Sequence, residues 1–117
     1  MSKLPPKGPK KQKVLGLDLG RKRIGIAITN EEQTVVFPRE TFSYKNFAEV
    51  ILHVKNICDT EHVGLLIIGL PLDEEDRKRS ITYFVEGKGE LLREKVGLPI
   101  AYVDEAFSSQ EADEKLR

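Results

Sequence analysis

Cysteine is almost missing from this chain: Cys58 is the only one in 117 residues. An intramolecular disulfide and a cysteine-based zinc site are therefore excluded. Two histidines, His53 and His62, are too few to build a zinc site in their place. No apolar run approaches the ~18 residues of a spanning helix, and lysines and prolines stand where a signal peptide would carry its apolar stretch. These absences point to a soluble, cytoplasmic protein with no membrane partner. Length leaves room for one core and little more, which excludes a two-lobed enzyme within these residues.

Net charge is missing as well, with 19 basic side chains against 19 acidic ones. The balance conceals a strong polarity. Residues 1–23 carry Lys3, Lys7, Lys10, Lys11, Lys13, Arg21, Lys22 and Arg23 against Asp18 alone. The acidic excess lies in everything that follows. Such a chain can present a local cationic surface to a polyanion, so neutrality does not exclude nucleic acid as a partner.

Residues 1–12, with three prolines, a glycine and four lysines, have the composition of a disordered basic tail. Its electrostatic contacts with phosphates would carry no sequence information. Val14–Leu19 is a short apolar run closed by Gly20, as expected of a central strand covered on both faces. Ile24–Thr29 is a second run, so the two form a hairpin around Gly20-Arg21-Lys22-Arg23. Thr34–Phe37 reads as a third strand, and Pro38 marks an edge position or a bulge. Apolar spacings of three and four then predict a helix from about Tyr44 to Glu61. Val63–Pro71 reads as a buried strand, and Ile81 to Val96 as a second helix weakened by Gly87 and Gly89. Pro99–Val103 is a fifth strand, and Ser108 with Glu111 resembles a capping box opening a third helix. The order βββαβαβα describes an α/β fold: a mixed five-stranded sheet flanked by helices, with no internal repeat and no dividing linker.

Asp18 is the most unusual residue, because it interrupts the most apolar strand. An ionised carboxylate buried there is costly unless it is paired, protonated or bound to a cation. Asp104-Glu105 follows the fifth strand, and neighbouring strand residues point to opposite faces, so at most one faces Asp18 unless the strand has ended. All three acids lie at carboxyl ends of parallel strands, where open α/β sheets gather ligands. Convergent carboxylates without His or Cys favour a hard cation, Mg²⁺ or Mn²⁺. Arg21-Lys22-Arg23 reads either as an ordinary turn or, beside a metal, as a clamp on phosphate oxygens. Cys58 lies on the apolar stripe of the first helix and reads as core; His53 and His62 lie off it and read as surface.

Together these residues resemble the YqgF (RuvX) family. Leu15 to Ala27 is similar to its G-I-D-x-G-x-K/R-R-I-G-V-A string, Ile68–Leu72 to its V-G-L-P-L segment, and Val103–Ala112 to its D-E-R-x-[TS]-[TS]-x-x-A segment. The resemblance runs from residue 14 to 116. It implies an RNase H-like fold and a metal-dependent phosphodiesterase. That activity is either resolution of Holliday junctions or, in the reading now usual for the family, processing of the 5′ end of precursor 16S rRNA. Two Mg²⁺ or Mn²⁺ ions are implied, held by Asp18 and by Asp104 or Glu105, with RNA, a ribosomal particle or branched DNA as partner and Arg21, Lys22 and Arg23 binding substrate. Ala106-Phe107 replaces the arginine and its neighbour that usually follow the acidic pair. An acidic loop, Asp73–Asp76, stands where the family has a polar, glycine-containing one. The family's third acid belongs some twenty or more residues beyond Ala112, whereas the sequence stops at Arg117. Residues 13–117 are accordingly expected to be one RNase H-like domain lacking its C-terminal helix, cut from a longer protein. Two other readings remain: a catalytically incomplete module that binds nucleic acid or the ribosome, and an ATP-binding module of the actin superfamily. The latter shares the D-x-G turn but needs two lobes.

Overall fold

The computed structural model describes residues 12–72 and 78–106, with the side chains of Glu105 and Ala106 excepted. The elements run β1 (Lys13–Leu19), β2 (Arg23–Thr29), β3 (Val36–Ser43), α1 (Phe47–Glu61), β4 (Val63–Leu72), α2 (Ser80–Val96) and β5 (Ile100–Ala106). They build a five-stranded sheet in the order β3-β2-β1-β4-β5. The three sequential strands pair antiparallel, while β4 lies parallel to β1 and β5 parallel to β4. The mixed α/β sheet expected from the sequence is therefore present. The tail, the acidic loop and the third helix expected from Ser108 lie outside the described residues.

One face of the sheet carries the core. Leu15, Leu17 and Leu19 of β1 alternate inward with Ile24 and Ile26 of β2 and with Leu66 and Ile68 of β4. Val50, Val54 and Ile57 of α1 and Val85 and Leu92 of α2 pack into the same cluster, so both helices lie on that face. Burying each such side chain contributes about 1.5–3 kcal/mol, which outweighs the weak local propensity of the short elements. Helix α1 starts at Phe47, later than the apolar pattern suggests, because the Asn46 side chain caps it by accepting the Glu49 N–H. At its far end His62 adopts a left-handed conformation with φ 58°.

Two expectations need correction. β3 extends from Val36 to Ser43 rather than ending at Phe37, since it is an outer strand whose second half, Arg39 to Ser43, has no apolar alternation to betray it. Pro38 does lie at an edge beside a register shift: Ile26 pairs with Glu40 but Ala27 with Pro38, leaving Arg39 as the extra residue. β5 runs to Ala106 rather than Val103, so Asp104 and Glu105 lie within the strand.

The second helix expected from Ile81 to Val96 is present as α2 and passes unbroken through both glycines. Gly89 has a packing reason, because a Cβ there would sit 2.5 Å from the Tyr102 hydroxyl. That hydroxyl donates to Glu90 at 2.9 Å. Gly87 faces open space. Gly87→Ala should therefore stabilise the protein by ~0.5–1 kcal/mol. Gly89→Ala should instead cost about 1–3 kcal/mol through overpacking. Urea denaturation of both variants checks the contrast.

Candidate functional site

The hairpin between β1 and β2 is held from two sides. Within it, the Gly20 N–H donates to the Arg23 carbonyl at 3.0 Å, and a Cβ on Gly20 would lie only 2.6 Å from that same oxygen. From outside, the Tyr44 N–H donates to the Lys22 carbonyl at 3.0 Å and the Tyr44 hydroxyl donates to the Gly20 carbonyl. Burial pushes the Tyr44 phenol above its ordinary value, partly offset by the Arg21 charge, which keeps that donor protonated. Sequence reasoning passed over Tyr44 because its role depends on β3 continuing to Ser43.

The basic triplet divides. Arg21 turns toward α2, donating to Ser80 Oγ at 3.3 Å with its guanidinium 4.9 Å from the Phe84 ring centre. Lys22 and Arg23 are exposed, and among the described residues neither has an acidic partner. Lys88 adds a further cation nearby, 5.8 Å from the Phe84 ring centre and 5.0 Å from that of Phe47.

Asp18 lies on the sheet face opposite the helices, and it is exposed. The expectation of a buried carboxylate is corrected: the apolar residues around Asp18 in sequence point the other way, and alternation leaves it on the open side. Among the described residues its carboxylate has no hydrogen-bond or ion-pair partner. In register Asp18 faces Gly25 of β2, and Gly69 of β4 flanks it. Together with Gly16, Ala27, Ile67, Val103 and Pro38 they line a groove of about 260 Å³. Neighbours without side chains leave the carboxylate open to approach.

The two later acids separate by parity. Gly69 pairs with Val103, Leu70 with Asp104 and Pro71 with Glu105. Position 105 therefore shares the parity of Val103 and, across β4, of Asp18. Asp104 shares that of Tyr102, whose hydroxyl reaches Glu90 on α2. The structure does not bring Asp104 to Asp18's face. Among the described residues no three His, Cys, Asp or Glu side chains form a cluster. Asp18, a hard oxygen donor with open approach and no partner among the described residues, fits a hydrated divalent cation.

Other candidates have structural roles. Cys58 is buried, and burial first, then the nearby Asp59 charge, pushes its thiol up to about 11. It is core, and too little of it ionises for a nucleophile. His53 is not solvated surface: it stacks on Phe42 with ring centres 4.1 Å apart and pairs with Glu40. His62 is exposed and ends α1. No helix of the described residues is long and apolar enough to cross a membrane.

Comparison with known proteins identifies the family. The model of the RuvX family, described as Holliday junction resolvase, matches residues 12–117. A Mycoplasma mobile protein named "Putative pre-16S rRNA nuclease" is 37% identical over 97 residues, covering 81% of this chain and 67% of its own. A protein of the same name from Orientia tsutsugamushi is 34% identical over 107 residues, covering 92% and 68%. Among solved structures, T. thermophilus RuvC in complex with Holliday junction substrate matches with a TM-score of 0.57 at 10% identity. That match covers 80% of this chain and 64% of the RuvC chain, and it shows a shared RNase H-like fold. By its family match and by its relatives, this chain belongs to the RuvX family of nucleases.

Proposed function

We propose that residues 13–117 form the RNase H-like domain of a metal-dependent endonuclease that hydrolyses phosphodiester bonds, processing the 5′ end of precursor 16S rRNA in the cytoplasm. The observation that carries this reading is that, among the described residues, the exposed Asp18 carboxylate has no partner and Lys22 and Arg23, in the turn that follows it, have no acidic partner. A carboxylate recruits a cation, and guanidinium and ammonium groups recruit phosphate. Family membership supports the same reaction, and the names of the relatives favour RNA where the family model's description names the Holliday junction.

In this reading Asp18, and from β5 the acid at position 105, hold Mg²⁺ or Mn²⁺. Such ions, when bound in a pair, supply an activated water and stabilise the attacking and leaving oxygens of an in-line displacement. The chain's own residues do the positioning. Lys22 and Arg23 hold phosphate oxygens beside Asp18, and Gly25 and Gly69 let the sugar-phosphate backbone approach the carboxylate without meeting a side chain. Tyr44 keeps the turn, and hence its cations, at a fixed height above β1. Residues 1–12, with their four lysines, add electrostatic affinity without selectivity.

The test offers the protein a precursor 16S rRNA 5′ fragment and a four-way DNA junction in parallel, with Mn²⁺ or Mg²⁺ and with EDTA. Metal-dependent appearance of the mature 5′ end supports the proposal. Cleavage of the junction alone would move the substrate to branched DNA. The second reading, a binding module without catalysis, draws on the lack of a three-ligand cluster among the described residues. Salt-sensitive binding of RNA without any cleavage would favour it.

A further inference from the structure

A second groove, of about 890 Å³, opens on the far side of the turn, bounded by the basic triplet, Ser43, Tyr44 and Lys45, with Glu49 also in its lining. Nothing in the motifs draws attention to Ser43 or Lys45, which lie about twenty residues after the hairpin. β3 delivers them. Its last residue, Ser43, pairs in register with Arg23, and the Tyr44 N–H bonded to the Lys22 carbonyl fixes Lys45 next to the turn. By the pleat, Arg23 and Ser43 share the sheet face of Gly25 and Asp18.

Cations without an acidic partner occur elsewhere among the described residues, as at Lys55 and Lys95, but they gather in this groove. Lys13 pairs with Glu61 at 2.7 Å, Arg39 with Glu40 at 3.0 Å, and Lys78 with Glu86 at 2.9 Å. Among the described residues Lys22, Arg23 and Lys45 have no acidic partner. The one acid in the lining, Glu49, directs its carboxylate to the Lys45 backbone N–H at 2.9 Å, closing the first turn of α1. The groove thus keeps a net positive charge with exposed donors of three kinds: guanidinium, ammonium and hydroxyl. Those are the groups that hold phosphate oxygens.

We propose that Ser43 and Lys45, with Arg23 shared between this groove and the Asp18 side, form a second phosphate subsite, holding a phosphodiester of the substrate strand away from the bond that is cut. Ser43 lies two strands across and two residues along from Asp18, or roughly 12 Å at ordinary strand geometry, so the phosphate it meets is one or two removed from the scissile one. The strand then crosses the sheet from Asp18 over β2 toward the β3 edge. The subsite's three donors all address phosphate oxygens. The subsite therefore reads backbone and carries no base preference. This inference rests on the nuclease reading.

The test measures binding of a labelled single-stranded RNA oligonucleotide in EDTA across a salt series, together with cleavage, for the wild type, Ser43→Ala, Lys45→Ala and Lys55→Ala. Lys55 is an exposed α1 lysine outside the groove lining, so its variant removes the same charge elsewhere. Lys45→Ala should weaken binding ~3- to 10-fold, lower the salt slope by about 0.7, as for one lost contact to a single strand, and raise KM. Ser43→Ala should weaken binding about 2- to 5-fold with little change in slope, as for a lost uncharged hydrogen bond. Equal binding by the Lys45→Ala and Lys55→Ala proteins overturns the subsite, whatever the cleavage result. A wild type that never cleaves, but whose RNA binding still drops specifically on Lys45→Ala, sinks the nuclease reading and keeps the subsite.

Discussion

Asp18→Asn should lower cleavage of precursor rRNA by about 10²–10³-fold, because it removes the anionic oxygen that would hold the catalytic cation. The substitution keeps the shape of the side chain and removes its charge. Structural damage is not expected to confuse the result, since Asp18 is exposed and, among the described residues, bonded to nothing. Its unfolding free energy should stay within ~0.5 kcal/mol of the wild type. RNA affinity measured in EDTA should hold or rise slightly, because a negative charge beside the phosphate path is gone. Cleavage that survives unchanged would discard the carboxylate mechanism outright.

The second large effect separates two adjacent acids. Glu105→Gln should reduce metal-dependent cleavage by on the order of 10²-fold, by the same argument from a lost anionic group, whereas Asp104→Asn should stay within a few-fold of the wild type. The reason is register: Pro71 pairs with Glu105 and Leu70 with Asp104, so only position 105 has Asp18's parity. Parallel kinetics over a Mn²⁺ titration make the comparison. A heavy loss at 104 with none at 105 would show that β5 ends earlier, or twists further, than its pairing implies.

Much of this arrangement was legible from the residues. The hairpin announced itself because two apolar runs flank a turn containing Gly20, and α1 because its buried residues recur at helical spacing. Asp18, Arg21, Lys22 and Arg23 were identified for the same local reason: they are out of place in, or adjacent to, an apolar strand. What stayed hidden depends on events remote in sequence. The outward half of β3 carries Arg39, Glu40 and Thr41, which satisfy an edge strand without leaving an apolar signature, so the arrival of Ser43, Tyr44 and Lys45 at the turn was invisible. Asp104 and Glu105 could not be told apart, because their parity depends on whether the strand has ended. That decision is made by pairing with β4. The position of Asp18 in the sheet was clear, but its exposure was not, since composition reports the apolar side of a strand better than its open one.

The glycine opposite Asp18 also provides a handle for control. A Cβ at position 25 would meet the Asp18 Cβ at 3.6 Å, an ordinary contact, so a cysteine side chain fits there without displacing the carboxylate. The native thiol, buried and held near 11, stays inert at neutral pH. A Gly25→Cys protein should therefore take a methanethiosulfonate label at one place, lose cleavage as the adduct covers the groove, and regain it when dithiothreitol strips the adduct away. Modest inhibition by a small neutral adduct and complete inhibition by a bulky or anionic one would measure, in a single protein, how much room the substrate needs above the sheet. The bare backbone that makes the site accessible thereby makes it reversibly lockable.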